Sequence, residues 1–294
     1  MGKEKSHKTP GSKVGYVLVS PYIIYNLIFW FYPFIWGFII AFQRWNIISP
    51  ERKFVWFGNF ITALTSPLFW NALWVTFRFW LFFLPGVLIC SLGLAMMLQR
   101  IKYFRAFYIV GFLASYTMAG VAYSVVFRLL LAGNGLITTA TWKLFHIRIP
   151  WFTSPTISIF SVALVVIWKF IGYYGLIFLA GLNAIPKDLY EAAQIDGANA
   201  WSRFWRITIP LLNPSFTVVF VFATILSFGI FTEPFLITSG GPMDSTRTFM
   251  LLIYQTTFEN LEAGYGSALA ILMAALSFSA VIVVRKVIEK EVYI

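Results

Sequence analysis

The chain has 294 residues, 60% of them hydrophobic and only 11% charged, and a mean hydropathy of +0.79. No soluble single domain needs such a composition, so this is an integral membrane protein. A lone cysteine, Cys90, in an apolar segment excludes an intrachain disulfide and a cysteine-based metal site, and His7 and His146 stand far apart. The net charge of +11 would suggest nucleic acid in a soluble chain, but here the cations sit in loops between apolar runs and report topology.

Residues 1–13 form a polar tail carrying Lys3, Lys5, Lys8 and Lys13, followed by an apolar run over 14–42. That run is too long for a signal peptide and has no small-residue cleavage site, so it reads as a retained first span. At about 1.5 Å per residue it exceeds the ~30 Å hydrocarbon core and must tilt or protrude. Further runs at 71–98, 106–131, 155–182, 215–238 and 266–284 make six spans within a membrane domain over 14–286, with a tail at 287–294. Backbone groups in lipid must pair within the protein, which predicts helices; barrel strands would be about half as long and alternate in polarity. The expected fold class is an all-α membrane bundle of six transmembrane helices.

The basic residues predict its orientation. On the N-terminal side lie the four tail lysines, Arg100, Lys102, Arg105, Lys187, Arg203, Arg206, Arg285, Lys286 and Lys290. Facing them are Arg44, Arg52, Lys53, Lys143, Arg148 and Arg247. The excess puts both termini and the loop at 183–214 in the cytoplasm.

Of the outer loops, 43–70 carries Trp45, Trp56 and Trp70, which suit an interfacial aromatic belt better than a partner contact. The second, 132–154, holds Gly133-Asn134-Gly135 and an Ile137/Leu144 stripe compatible with a short surface helix. In the third, Ser239-Gly240-Gly241-Pro242 marks a sharp turn before Phe249, Tyr254, Phe258 and Gly264-Tyr265-Gly266.

The inner loop at 183–214 is the longest polar interruption of the apolar second half. Pro186 suits a first helical turn and Asp188 its positive end, predicting a helix to Ile195. Gly197 can adopt the left-handed conformation that ends it, Asn199 can cap a second short helix through Arg206, and Pro210 and Pro214 are expected to stop that one.

The spacing Glu191-Ala192-Ala193, three residues, Gly197, nine residues, Ile207, one residue, Ile209-Pro210 resembles the EAA loop of binding-protein-dependent ABC importer permeases, with Ile209 where Leu is usual. Thr238 to Pro242, Thr246, Tyr254, Phe258 and Gly264-Tyr265-Gly266 resemble the segment between the last two helices of carbohydrate-importer permeases. So do Pro21-Tyr22, Tyr32-Pro33, Ala41-Phe42, Trp45-Asn46, Phe69 to Leu73 and Thr76-Phe77. The pattern is similar to the F-type or A-type half of the maltose, lactose and glycerol-phosphate permease group.

That resemblance implies a type I importer bundle for a sugar or sugar derivative, built from two unlike permease chains. It also implies two ATPase subunits and an extracytoplasmic sugar-binding protein as partners, within membrane lipid and without nucleic acid. ATPase coupling falls to Glu191, Ala192, Ala193, Asp196, Gly197, Trp201, Phe204 and Pro210, and binding-protein contact to Gly240, Gly241, Pro242, Thr246 and Tyr254. No cofactor is expected in this chain: its only Gly-Lys pair is Gly2-Lys3, it has no phosphate-binding loop, and ATP and Mg belong to the ATPase subunits.

Polar groups inside spans are the default candidates for a substrate pathway. Lys169 is the strongest, with Trp168, Tyr173 and Tyr174 placed to stack a sugar ring, and Ser227, Phe231, Thr232 and Glu233 lie where related permeases line their cavity. An unpaired Lys169 facing that cavity would favour an anionic sugar; pairing with Glu233, or a stem reaching water, would make it scaffolding. Arg78 and Arg128, near the outer ends of their spans, are expected to snorkel. An ion-coupled secondary transporter is the alternative, though it would usually show internal repeats and more carboxylates in its spans than Glu233. An intramembrane enzyme would need a catalytic constellation that these spans do not offer.

Overall fold

The structure is a computed structural model that describes residues 11–49 and 51–288. Tail lysines Lys3, Lys5, Lys8 and Lys290 lie outside the described residues, whereas Gly11 to Lys13 already belong to the first helix. The chain forms two compact units, Met1–Ala63 with Thr256–Ile271, and Leu64–Gln255 with Leu272–Ile294.

In the first unit, α1 (Gly11–Asn26) and α2 (Tyr32–Ala41) join through a π-turn at Leu27–Phe31 into one long apolar helix. Nearly all of its side chains are exposed. A two-stranded antiparallel hairpin follows, β1 (Gln43–Trp45) against β2 (Arg52–Phe54), pairing Gln43 with Phe54. Asn59, in α3 (Gly58–Thr65), is buried; its Nδ2 donates to the carbonyls of Ala41 and Gln43 at 2.8 and 2.9 Å, fixing the hairpin to the helix end. Gly264 is a close approach: a Cβ there would run into the Gln43 carbonyl. Of the belt residues, Trp56 and Trp70 are exposed, whereas Trp45 is half-buried with the Arg52 guanidinium 4.1 Å above its ring.

The second unit is organised on two long helices, α4 (Pro67–Arg100) and α8 (Ser158–Ala184). They meet through Phe79, Phe83, Val87, Val162, Val166 and Phe178, all buried. Small residues set how closely helices approach in lipid. A Cβ on Gly86 would meet Ile167, and one on Gly175 would meet Leu94 at 3.1 Å. Gly172 lies against the Phe112 carbonyl of α5 (Arg105–Thr117), and Gly181 against Ser215 of α12 (Asn213–Phe228). Two buried hydroxyls tie elements together: Thr76 Oγ1 accepts the Phe249 amide at 2.8 Å, and Trp80 Nε1 donates to Thr224 Oγ1 at 3.0 Å.

Among the described residues, four helices are long and apolar enough to cross a membrane, and two bent pairs would bring the number to six if each counts as one span. One pair joins Ala200–Leu211 to α12 at 63°; the other pair, and a break within the run over 215–238, are where the structure departs from the sequence reading. The run expected as one helix over 106–131 is α5 followed by α6 (Gly120–Leu130), bent by 94°. Ser115 and Thr117 turn their hydroxyls back onto the Phe112 and Ala114 carbonyls at 2.8 and 2.9 Å, and Met118 and Ala119 are extended ahead of Gly120. Hydropathy is blind to such a break. The run over 215–238 likewise ends as an α-helix at Phe228 and resumes as a π-turn at Pro234–Thr238.

The Ile137/Leu144 stripe lies on a short helix, α7 (Leu136–Phe145). Arg78 and Arg128 donate to carbonyls, of Thr156 at 3.3 Å and Leu236 at 3.2 Å, instead of only extending toward water. The described residues end in α13 (Phe249–Tyr254), a π-turn at Gln255–Glu259 and α14 (Ala263–Ile288).

Candidate functional site

The loop at 183–214 folds as a bent pair of helices. Pro186 caps α9 (Lys187–Ile195), with Asp188 in its first turn. At its end Gly197 has φ +79°, the Ala198 amide donates to the Ala193 carbonyl at 2.8 Å, and the Gly197 amide donates to Gln194 at 3.1 Å. These two bonds make a Schellman stop, which a left-handed residue at this position completes. Asn199 then caps α10 (Ala200–Arg203), its side-chain oxygen accepting the Ser202 amide at 2.8 Å. Across the bend, Arg203 donates to Gln194 Oε1 at 3.2 Å, and Tyr190 and Thr208 share a hydrogen bond of 2.9 Å.

Pro210 does not stop this second helix. The chain continues through a π-turn at Phe204–Thr208 into α11 (Ile209–Leu211) and breaks at Leu212. The wider turn passes the Ile209 amide to the Phe204 carbonyl, so the helix crosses the position where proline lacks a donor. Glu191, Ala192, Asp196, Gly197, Trp201 and Pro210 are exposed, whereas Ala193 and Phe204 are half-buried. The sequence reading missed Trp205, which is half exposed and lies 5.6 Å from Trp201, ring to ring, one turn away; Ile195 beside the bend is 87% exposed. The Trp201/Trp205 spacing of four was the available signal.

A second feature is a cavity of about 440 Å³ in the second unit, walled by Tyr116, Phe170, Tyr173, Tyr174, Phe222 and the stretch Gly229–Glu233. Five of the expected pathway residues, Tyr173, Tyr174, Phe231, Thr232 and Glu233, come together here. Tyr116 and Tyr173 stack at 4.5 Å, and Phe231 stacks on Phe235 at 5.1 Å. Glu233 is only 5% exposed and forms no ion pair among the described residues.

Three candidates lie elsewhere. Trp168, two residues from Phe170 and thus on the opposite side of α8, lines a separate apolar groove. Ser227 is fully buried and donates to its own helix at the Ala223 carbonyl, 2.7 Å away. The Lys169 ammonium lies 4.3 Å over the ring of buried Tyr123 and does not line the cavity. It pairs with no described acid, so the Lys169–Glu233 ion pair is not formed among the described residues.

The outer turn is also tighter than expected. Gly240 takes φ +85° and is buried. Thr246, expected as a partner contact, is fully buried: its hydroxyl donates to the Gly241 carbonyl at 2.8 Å and lies 2.7 Å from Thr238 Oγ1, so it braces the turn from inside. Tyr254 packs against Phe231 and Phe235. The tip that does project is Met243, 88% exposed, which the sequence reading passed over.

Long apolar helices, an aromatic cavity beside them and an exposed bent loop make this a membrane protein with a candidate solute site and a candidate docking site. Residues 12–291 match the family model described as binding-protein-dependent transport system inner membrane component, and the chain belongs to that family. It is similar to the sulfoquinovosyl glycerol transport system permease SmoG of Agrobacterium fabrum, 36% identical with 81% of this chain and 78% of that one covered. It is also similar to the trehalose/maltose permease MalF of Thermococcus litoralis, 31% identical over 94% of each chain. In fold it resembles a chain of a bacterial alginate ABC transporter solved with a pentasaccharide-bound periplasmic protein, with TM-score 0.81, 22% identity, and 95% and 96% covered. The protein is therefore a multi-pass inner-membrane permease subunit of an ABC importer, and not an enzyme. Nothing in these comparisons supports the ion-coupled alternative.

Proposed function

We propose that this permease imports a sugar or sugar derivative as one half of a heterodimer, with six spans and both termini cytoplasmic. Two ATPase subunits bind the permease pair, one of them docking on the loop at 183–214, and an extracytoplasmic binding protein delivers the solute from the opposite side. The observation that carries this reading is the bent stretch α9–α10 with the π-turn that follows, on which Ile195, Trp201 and Trp205 are exposed. Exposed apolar residues rimmed by polar ones mark a protein interface.

In this reading the Schellman bend makes the loop a stiff lever. Closure of the ATPase pair moves it as a body, and rigid-body gating around a fixed site alternates access. The aromatic cavity is the solute site: flat rings cover the apolar faces of a sugar, and the Glu233 carboxylate accepts from its hydroxyls. Names of relatives that transport sulfoquinovosyl glycerol and trehalose or maltose support a carbohydrate. ATP and Mg stay with the partner subunits.

Affinity purification in mild detergent, with and without Glu191→Lys and Gly197→Asp, tests this. A second permease and an ATPase are expected with the wild type, and the ATPase is expected to be lost from the variants. Recovery of the chain alone under several mild conditions would overturn the reading.

A further inference from the structure

Arg100, Lys102 and Arg105 cluster where α4 gives way to α5, and none of them pairs with a described acid. The chain has no Asp or Glu between Glu51 and Asp188 that could neutralise them locally. Arg105 opens α5, so the positive helix end adds to the field, and its Nε is buried without a hydrogen-bond partner. Two residues further on begins the groove that takes in Trp168. It has a volume of about 410 Å³ and is walled by Phe107, Tyr108, Gly111 and Phe112 of α5 with Trp168 and Ile171 of α8. Its floor is open, since a Cβ on Gly111 would meet nothing within 4 Å. The Ser115 hydroxyl is turned onto the Phe112 and Lys169 carbonyls, so it is already engaged by the backbone.

Phe107 to Ser115 rises about 12 Å, close to one leaflet of a ~30 Å hydrocarbon core. The cations therefore stand at headgroup level and the groove at acyl level of the same leaflet. We propose that this is a binding site for an anionic phospholipid, with its phosphate held by Arg100, Lys102 and Arg105 and one acyl chain in the groove. Basic pockets beside membrane helices recognise such headgroups. A protein helix could fill the groove but would leave the cations uncompensated, and a zwitterionic lipid carries its own cation to the cluster. On the orientation proposed above the lipid comes from the cytoplasmic leaflet; the site itself does not depend on that orientation or on the transported solute.

Native mass spectrometry of the full chain in mild detergent tests this, using phosphatidylglycerol and phosphatidylethanolamine of identical acyl chains in competition, with glycerol phosphate as a headgroup-only probe. Wild type is expected to retain phosphatidylglycerol preferentially, and glycerol phosphate not to displace it. Arg100→Gln, Lys102→Gln and Arg105→Gln should each weaken retention about fivefold, and Gly111→Phe should abolish retention of both lipids. Equal retention of the two lipids by wild type would overturn the proposal, and that comparison requires no variant to fold. So would displacement by glycerol phosphate, which would indicate a phosphate site, or a Gly111→Phe protein that keeps its lipid but sheds a second permease chain, which would assign the groove to a helix.

Discussion

Gly197 is the residue on which the bent loop turns, and its replacement separates backbone conformation from contact. At φ +79° an L-residue is strained by about 1–2 kcal/mol, and nothing lies within 4 Å of where its Cβ would stand. The penalty is therefore conformational and not steric. With 1.4 kcal/mol per tenfold, it lowers the fraction of correctly bent loops about 5- to 30-fold, and affinity for the ATPase should fall by the same factor. Asn tolerates the left-handed region best among L-residues and a β-branched residue worst, so binding should follow Gly, Asn, Ala, Val in descending order. Titration of the ATPase partner onto the permease in lipid nanodiscs measures this directly. Equal affinity for Val and Gly, or the same loss for Asn and Val, would refute the lever argument.

Other predictions follow from single contacts. Asn199→Ala removes the cap on the Ser202 amide and should cost about 1 kcal/mol of loop stability, read as roughly fivefold weaker ATPase binding. Gly172→Ala drives a methyl into the Phe112 carbonyl and should destabilise the α5–α8 contact by about 1–3 kcal/mol in detergent unfolding, whereas Gly111→Ala, facing open space, should be near neutral. Lys169→Gln removes the ammonium from the Tyr123 face, so stability should fall by about 0.5–2 kcal/mol while uptake of neutral and acidic sugars changes in parallel. A selective loss of acidic sugar would return Lys169 to the pathway. Tyr173→Ala, which breaks the stack with Tyr116 in the cavity wall, should raise KM for the sugar about threefold to tenfold, measured as uptake against concentration.

Much of the architecture was legible because lipid imposes it. Long apolar runs marked α4, α8 and α14 to within a few residues, and Gly197 and Asn199 announced the bend in the loop by chemistry that acts over a few residues. The breaks were not legible. Nothing in hydropathy distinguishes Met118-Ala119 from a continuing helix, because the break is set by side-chain hydroxyls returning to the backbone and by packing around Gly120. Pro210 was misjudged for the complementary reason: a π-turn lets a helix cross a residue that lacks a donor. Tyr173, Tyr174 and the 231–233 stretch, candidates by residue type and position, line one cavity. A cation in a span is conspicuous, which makes Lys169 a pathway candidate with scaffolding as the alternative, and only the fold shows that its long stem carries the charge to a ring on α6. Thr246 shows the same limit, since a residue type offers a hydroxyl but only the fold decides whether the hydroxyl faces outward.

Uptake by the reconstituted importer bears most directly on the account. Proteoliposomes holding this chain with its copurifying subunits, supplied with ATP on the side of the 183–214 loop and with a sugar-loaded binding protein on the other, should accumulate sugar only when both are present. Glu191→Lys should abolish that accumulation. Uptake driven by an ion gradient without ATP or binding protein would contradict the account.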